Sequence, residues 1–307
     1  MVNESASSVT ARRRVIIQKM MSADHEVELA QTHRRGHATH LALDAARRGV
    51  DWIMVLGGDG TLNEVANGLV GTDCAVAALP GGSTNVFART LGLSDDPVEA
   101  ALANLEAVAA GSIRRVGLGS VNGRYFLFHT GIGWDAALVR RVEKRAELKR
   151  WASHPLFIWA GLETWFRFYD RRRPHFRLLL DDGTVLDDGF FTVVLNTNPY
   201  TYLGTRPFNL SPDAALDRAL AVVNVRKMST APFLRLLLQT LRSADATTRS
   251  RIVDYRADVT SMVVEAYGSV PYQVDGDDLG DVERLELRHH PDALRLVIPP
   301  TANGSIA

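Results

Sequence analysis

Two short apolar runs, each followed by a glycine-rich loop and then by a helical pattern, limit the possible folds most. The runs are residues 52–56 (WIMVL) and 74–79 (CAVAAL). Strands that are apolar on both faces and alternate with helices are typical of a parallel sheet covered by helices. The order strand–helix–strand–helix therefore predicts a doubly wound α/β layer in the first third of the chain.

The loops that follow these two strands have the composition of phosphate-binding loops. They are residues 57–61 (GGDGT) and 80–85 (PGGSTN), and each opens a helix. Glycines allow the backbone to approach a ligand, and the N–H groups at a helix start favour phosphate. Thr61 and Glu64 match a capping box for the first of these helices. Two such loops at neighbouring strand ends predict one nucleotide site, with a tight structural turn as the alternative.

The pattern changes after residue 112, where short strands and turn signals replace the strand–helix alternation. Asn122-Gly123 is a strong hairpin signal. We expect an α/β domain over residues 1–112 and a mainly antiparallel β-sandwich domain over residues 113–307, whose extreme C-terminus returns to the first domain. Among the expected elements are short strands at 257–266, 272–275, 282–288 and 294–298, and helices at 137–150, 156–169 and 231–244.

Composition narrows the function classes. Lys and Arg number 35 and Asp and Glu number 35, so the chain lacks the basic excess of a charge-driven nucleic-acid binder. Cys74, the single cysteine, can form neither an internal disulfide nor a multi-cysteine metal site, which fits a reducing compartment. No apolar stretch approaches the ~20 residues of a spanning helix. We therefore expect a cytoplasmic protein with no nucleic-acid partner.

Three further segments each have two interpretations. Residues 131–136 (GIGWDA) match a dinucleotide fingerprint, but the strand before them belongs to a hairpin, which makes a dehydrogenase a weak alternative. The acidic turn at Asp275-Gly276 is either structural or presents a catalytic base. The aromatic run at 156–169, followed by arginines at 171–173, is either an interfacial segment that meets anionic lipid or a packed helix.

Four ordered motifs resemble those of the diacylglycerol kinase catalytic family. They are residues 56–69 (LGGDGTLNEVANGL), 79–92 (LPGGSTNVFARTLG), 129–136 (HTGIGWDA) and 272–278 (YQVDGDD). The family includes bacterial diacylglycerol and related lipid kinases and the eukaryotic sphingosine and ceramide kinases, and is distantly similar to NAD kinases. The resemblance covers nearly the whole chain.

This resemblance implies an ATP-dependent lipid kinase that uses Mg²⁺ and most directly converts diacylglycerol to phosphatidic acid. ATP would bind the α/β domain and the lipid would lie over the β-sandwich domain, with peripheral contact to the inner face of the membrane. Asp275 matches the family's general base. By the same resemblance, the nucleotide site consists of Asn3, Thr32, Gly58, Asp59, Gly60, Thr61, Asn63, Glu64, Gly82, Ser83, Asn85 and Asp277.

Two departures from the family pattern affect these expectations. Residues 2–8 (VNESASS) carry Glu4 where the family has proline, and the first strand of the α/β domain is expected to be missing. Some bacterial members hold a structural magnesium through Leu-Asp-Asp-Gly, where this chain has Asp217 followed by Arg218. Asp217 is therefore only a weak metal candidate, because Arg218 replaces the second acid.

Several alternative functions remain open from the residues. An NAD kinase would share the first glycine loop, although the later motifs favour the lipid branch. A catalytically weak or silent nucleotide- or lipid-binding homologue would fit the departures just described. A kinase for a sphingoid base or a glycolipid would need the same motifs, because each acceptor requires only a hydroxyl group near Asp275 and an apolar slot.

Overall fold

The computed structural model describes residues 1–4, 6–144, 159–161 and 163–299. The chain separates into two units, of which the first comprises Met1–Leu118 together with Pro291–Ala307 and the second Gly119–His290. The α/β character predicted for the first part of the chain and the β-rich character predicted for the second are both confirmed.

The first unit is built on parallel strands. Strand β1 (Trp52–Gly57) pairs with β2 (Ala75–Pro80) from Trp52↔Ala75 to Gly57↔Pro80, and every residue of β2 is buried. Leu296, near the C-terminus, extends this sheet in parallel beside Val76. The helices of this unit are α1 (Ala11–Met21), α2 (His37–Arg47), α3 (Asp59–Leu69), α4 (Val86–Thr90) and α5 (Pro97–Ala109).

A short extended segment at residues 1–3 lies beside β1. Val2 is buried and forms parallel bridges to both Leu56 and Gln31. The Val2 N–H donates to the Ala30 carbonyl at 2.8 Å, and the Asn3 N–H donates to the Leu56 carbonyl at 3.0 Å. This segment supplies part of the pairing at the edge of β1, where the sequence analysis expected the first strand to be missing.

The capping box predicted from Thr61 and Glu64 is wrong. Helix α3 begins at Asp59 after Gly58, which provides no side-chain cap. Glu64 therefore lies in the second turn, where its carboxylate accepts hydrogen bonds from the N–H groups of Gly36 at 2.7 Å and Ala38 at 3.1 Å. Glu64 thus caps the start of α2 rather than its own helix.

The second unit is formed mainly by antiparallel pairs. A strand can pair with two neighbours along its length. The strand Ser261–Val274 pairs with Phe176–Leu180 through its first part and with His129–Gly133 through its last residues. The strands are β3 (Ile113–Val121, which begins in the first unit), β4 (Arg124–Phe126), β5 (His129–Gly133), β6 (Phe176–Leu180), β7 (Val185–Gly189), β8 (Phe191–Leu195), β9 (Thr201–Leu203), β10 (Arg206–Phe208), β11 (Leu220–Val225), β12 (Val253–Val259), β13 (Ser261–Val274) and β14 (Asp277–Val297, which ends in the first unit).

The C-terminal strands are fewer and longer than predicted. The segments expected at 257–266, 272–275, 282–288 and 294–298 lie mainly in the long strands β13 and β14. The register of this pair shifts between Glu265 and Val270. A bulge of this kind absorbs extra residues without ending a strand, so the turn-like composition around Gly268 interrupts the pairing but not the strand.

Two-residue turns close two β-hairpins, β3–β4 and β13–β14. Asn122-Gly123 joins β3 to β4, as predicted, and both residues have positive φ angles of 47° and 83°. Asp275-Gly276 joins β13 to β14 with φ angles of 47° and 84°. Asp275 therefore occupies the first position of a primed turn, where aspartate and asparagine tolerate the left-handed conformation.

Helices are few in the second unit as described. They include α6 (Trp134–Glu143), a π-helical turn at Thr164–Phe168, α7 (Thr230–Thr240) and a 3-10 turn at Ala244–Ala246. The predicted helices at 137–150 and 156–169 lie partly outside the described residues.

We predict that Glu64→Ala lowers the free energy of unfolding by about 0.5–2 kcal/mol, because it leaves two N–H groups at the start of α2 without their acceptor. Urea unfolding followed by circular dichroism measures this change. Glu106→Ala, an exposed glutamate on α5, serves as the matched control and should alter stability by less than about 0.5 kcal/mol. Equal stability of the two variants would contradict the capping role.

Candidate functional site

The two glycine loops of the first unit meet at the carboxyl ends of β1 and β2. The Gly81 N–H donates to the Gly57 carbonyl at 2.8 Å. A Cβ atom at Gly81 would lie 2.7 Å from the Gly57 nitrogen, and one at Gly82 would lie 2.9 Å from the Gly58 Cα. These glycines are therefore required for the close packing of one loop against the other, whether or not a ligand is present.

Asp59 connects the first loop to the helix after the second. Its carboxylate accepts hydrogen bonds from the N–H groups of Val86 at 3.0 Å and Phe87 at 3.1 Å. These are the first N–H groups of α4, so the acid provides their cap from a distant part of the sequence. Part of the acceptor capacity of Asp59 is thus used within the protein.

Asn85 shapes the second loop. It has a left-handed backbone with φ 49°, its side-chain oxygen accepts from the Gly82 N–H at 2.7 Å, and its amide donates to the Gly82 carbonyl at 3.0 Å. The loop is thereby closed between Gly82 and Asn85. Ser83 is exposed at its tip and Thr84 is half-buried, so both hydroxyl groups lie at the surface of the loop.

The start of α3 offers N–H groups between these loops. Gly58 is its N-cap and supplies no side-chain hydrogen bond, while Gly60 and Thr61 occupy the first turn. The Asn3 amide donates to the Thr61 hydroxyl at 2.8 Å, which brings the N-terminal turn to the same place. An uncapped helix start surrounded by glycines and small polar side chains has the donor set that binds phosphate.

The remaining candidates of the first unit have structural partners. Asn63 is 1% exposed inside α3, and its carbonyl accepts from the Asn67 amide at 2.9 Å. Glu64 caps α2 as described above. Thr32 donates its N–H to the Val2 carbonyl at 2.9 Å and thus lies beside the N-terminal segment. The structure therefore brings Asn3, Gly58, Asp59, Gly60, Thr61, Gly82, Ser83 and Asn85 together at the loops, and gives Asn63 and Glu64 packing roles.

Asp275 is a buried acid of the second unit, and its carboxylate accepts several backbone hydrogen bonds. It is 6% exposed, and its Oδ2 accepts from the Leu127 N–H at 2.7 Å. Its Oδ1 accepts from the N–H groups of Phe128 and His129, each at 3.1 Å. Three backbone donors hold the carboxylate in one orientation. The turn at Asp275 thereby also positions the start of β5.

The acids that follow Asp275 are paired with arginines. Asp277 accepts a charged hydrogen bond from Arg124 at 2.9 Å. Asp278 accepts two from Arg140, at 2.8 and 3.1 Å, and Asp281 accepts a third from the same side chain at 2.8 Å. Asp277, which the family resemblance assigns to the nucleotide site, therefore has its negative charge compensated within the second unit.

A buried polar network that the sequence analysis missed lies behind the Asp275 turn. Asp135 is 3% exposed and accepts hydrogen bonds from the Tyr200 hydroxyl and from the Gln273 amide at 2.9 Å. The Gln273 side-chain oxygen accepts in turn from the Gly276 N–H at 2.8 Å. Burial raises the pKa of Asp135, whereas both hydrogen bonds act in the opposite direction.

Gly131 explains the spacing of the GIGWDA segment. A Cβ atom at Gly131 would lie 1.6 Å from the Asp135 Oδ2, so the glycine makes room for the buried carboxylate. Strand β5 is antiparallel to both β8 and β13, and a dinucleotide fingerprint requires a parallel strand–helix–strand unit. The segment therefore builds the buried network and does not support a dehydrogenase.

His129 adds a second buried titratable group next to this network. It is 4% exposed, its ring lies 4.3 Å from that of Tyr200, and its Nδ1 has no hydrogen-bond partner within the described part of the chain. Burial lowers the pKa of His129 to about 3, so the imidazole is neutral at physiological pH.

The residues at the suspected metal position do not fit a cation. Arg218 donates to Asp213 at 2.7 Å and binds Asp258 through two nitrogens, and Asp217 is exposed. The guanidinium group of Arg218 therefore already neutralises the carboxylates of Asp213 and Asp258. Across the described residues, no three His, Cys, Asp or Glu side chains form a group that could hold a metal ion.

We predict that His129→Phe reduces the loss of stability in acid. Unfolded histidine binds a proton near pH 6.5 but buried His129 does not until about pH 3, so stability falls as the pH decreases between these values. The slope for one proton is about 1.4 kcal/mol per pH unit. Unfolding free energies measured across this range should show the smaller slope in His129→Phe and the wild-type slope in His40→Gln, an exposed control. Identical slopes in all three proteins would contradict the assignment.

Comparison with known proteins agrees with this geometry. Residues 1–121 match the model of the diacylglycerol kinase catalytic domain. A diacylglycerol kinase of Bacillus subtilis (strain 168) is 33% identical over 230 residues, which are 74% of this chain and 72% of that protein. A diacylglycerol kinase of Staphylococcus saprophyticus is 26% identical over 280 residues, 90% of this chain and 87% of that one.

A solved structure shows the same fold. The crystal structure of a diacylglycerol kinase from Bacillus anthracis str. Sterne superimposes with a TM-score of 0.75 at 23% identity, covering 97% of this chain and 96% of the other. Among the described residues, no helix combines the length and apolarity needed to cross a membrane. With the Bacillus subtilis relative matched over most of both chains, this chain belongs to the diacylglycerol kinase catalytic family and is a lipid kinase.

Proposed function

We propose that this enzyme transfers the γ-phosphoryl group of ATP to the hydroxyl group of diacylglycerol and releases phosphatidic acid and ADP. Family membership already implies ATP and a lipid as substrates. The choice of diacylglycerol is supported by the names of the Bacillus subtilis and Staphylococcus saprophyticus relatives. The observation that carries the proposal is the uncapped start of α3 between two packed glycine loops.

The nucleotide would be held by the loops of the first unit. The N–H groups of Gly58, Gly60 and Thr61 belong to the helix start, where phosphate oxygens are stabilised by the free donors and the dipole. Ser83, at the exposed tip of the second loop, would donate a hydrogen bond from its hydroxyl group to a phosphate oxygen. Asp59 and Asn85 keep both loops in shape through bonds that do not involve the ligand.

We propose that the enzyme uses ATP together with Mg²⁺. When bound, Mg²⁺ supplies charge neutralisation for the transferred phosphoryl group. The chain's own contribution is the set of N–H and hydroxyl donors at the loops.

Asp275 would remove the proton from the lipid hydroxyl. Its carboxylate is held in one orientation by the N–H groups of Leu127, Phe128 and His129, so the proposed base is positioned before the substrate binds. As the lipid oxygen attacks the γ-phosphorus, its proton passes to Asp275 and the bond to ADP breaks. We further propose that the enzyme works at the membrane, because its acceptor is a lipid, and from the cytoplasmic side, because its phosphate donor ATP is found there.

We predict that ATP with Mg²⁺ raises the thermal midpoint of unfolding. A ligand that binds only the folded state at 100 times its Kd adds about 2.7 kcal/mol of stability. Differential scanning fluorimetry with ATP and, separately, with NAD measures the effect. A shift with NAD and none with ATP would overturn the nucleotide assignment.

We predict that Asp275→Asn lowers kcat by about 10²-fold or more, because an amide cannot accept the proton. The same variant should lose about 1–3 kcal/mol of stability, because the asparagine NH₂ group cannot accept a hydrogen bond and leaves at least one of the three backbone N–H groups without its acceptor. Activity is therefore measured with saturating ATP and lipid at a temperature where circular dichroism shows the variant folded.

Gln273→Ala is the matched control for this experiment. It removes the hydrogen bond to the Gly276 N–H and disturbs the same turn, but it leaves the Asp275 carboxylate in place. A comparable loss of activity in both variants would make Asp275 a turn residue and would contradict its role as the base.

The lipid itself is tested by incubating the protein with labelled ATP and a panel of acceptors. Diacylglycerol should be the best acceptor, ahead of a sphingoid base or a glycolipid precursor. Phosphorylation of another lipid would correct the substrate, whereas ATP binding without turnover on any acceptor would favour a catalytically silent homologue.

A further inference from the structure

Large apolar side chains are exposed on two segments of the second unit. In the π-helical turn Thr164–Phe168, the exposed fraction of Phe166 is 60%. In α7, the exposed fractions of Leu234 and Leu238 are 48% and 63%, and these residues lie four apart on one face of the helix. Exposed apolar side chains that cluster in this way mark an interaction surface.

The two segments are held together by the residues that are buried beneath this surface. The ring of Trp165 stacks on that of Phe233, with centroids 4.3 Å apart and planes at 10°. Trp134 contacts both rings edge-on. Phe166 follows Trp165 and Leu234 follows Phe233 in the chain, so the stacked pair brings the two segments that carry these exposed side chains together.

Basic side chains surround these apolar ones. Arg171 donates to the Thr230 hydroxyl at 3.1 Å, and its guanidinium lies 5.0 Å from the ring centre of Trp165. Arg167, Arg172, Arg173 and Arg235 are all exposed. The ranges 163–173 and 226–242 contain eight Lys and Arg residues and two acids, although the whole chain has no net charge.

We propose that Phe166, Leu234 and Leu238, with Arg167, Arg172, Arg173 and Arg235, form a docking surface for an anionic lipid membrane. The apolar side chains enter the acyl boundary, while the guanidinium groups bind lipid phosphates at the interface. This inference rests on the proposed function, because an enzyme whose acceptor is a membrane lipid must reach the bilayer surface. The local excess of positive charge selects a membrane over a neutral protein partner.

Vesicle flotation tests the surface without any reaction. Wild-type protein is incubated with phosphatidylcholine vesicles that contain or lack phosphatidylglycerol, in the absence of ATP. We expect binding to the anionic vesicles, and a reduction of at least about tenfold in the triple variant Phe166→Ser, Leu234→Ser, Leu238→Ser. The variant Arg172→Gln, Arg173→Gln, Arg235→Gln should lose affinity for the anionic vesicles only, as should the wild type in high salt.

The matched control replaces apolar residues of similar exposure elsewhere, Val15→Ser, Leu102→Ser and Val185→Ser. It should bind vesicles like the wild type, and circular dichroism should show all variants folded. Undiminished vesicle binding by the Phe166 triple variant would overturn the proposal. Light scattering provides a second test. If the wild type is an oligomer and the triple variant is a monomer, the surface joins copies of the chain and the proposal is overturned.

A dispersed short-chain diacylglycerol separates this inference from the proposed function. On this acceptor, which does not require a bilayer, the triple variant should retain wild-type kcat. If the wild type does not phosphorylate any acceptor but binds anionic vesicles through these residues, the proposed function fails and the docking surface stands. If the wild type phosphorylates a lipid but neither variant changes vesicle binding, the proposed function stands and the docking surface is overturned.

Discussion

The close approach of two backbones at the ends of β1 and β2 is the constraint on which the candidate nucleotide site depends. Gly81 and Gly82 come so near to Gly57 and Gly58 that a single Cβ atom would meet main-chain atoms at 2.7–2.9 Å. Side chains at these positions would separate the strand ends and with them the start of α3. The glycines that resemble a ligand-binding loop are therefore first a packing requirement, and the phosphate-like donor arrangement follows from that packing.

Acids in the motifs act on backbone N–H groups that are distant in the chain. Asp59 caps α4, Glu64 caps α2, and Asp275 binds three consecutive N–H groups before and in β5. Without these carboxylates, the backbone N–H groups at the start of each helix or strand would lack a hydrogen-bond acceptor. In the case of Asp275 this arrangement also suits a base, because the fixed carboxylate has a defined direction and needs no reorganisation before it accepts a proton.

The parts of the fold that the sequence predicted are those decided by local pattern. The apolar runs that became β1 and β2, and the turn at Asn122, needed only neighbouring residues to be recognised. The Asp275-Gly276 turn carried the same local signal and could have been identified as a two-residue hairpin. The capping by Glu64 could not, since its partners lie more than 25 residues away and helical spacing says nothing about them. The network around Asp135 could not be predicted for the same reason, because its partner Gln273 lies 138 residues away in the sequence.

The buried groups behind Asp275 show why positioning and chemistry are linked in the second unit. Gln273 joins the Asp135 carboxylate to the Gly276 N–H, so the turn that holds Asp275 is tied to a network in which burial raises the pKa of one acid and lowers that of His129. A change of charge in this interior would be costly, because both groups are buried. The position of the Asp275 turn therefore depends on this interior, and the carboxylate proposed as the base is oriented by backbone N–H groups and by the turn that Gln273 supports.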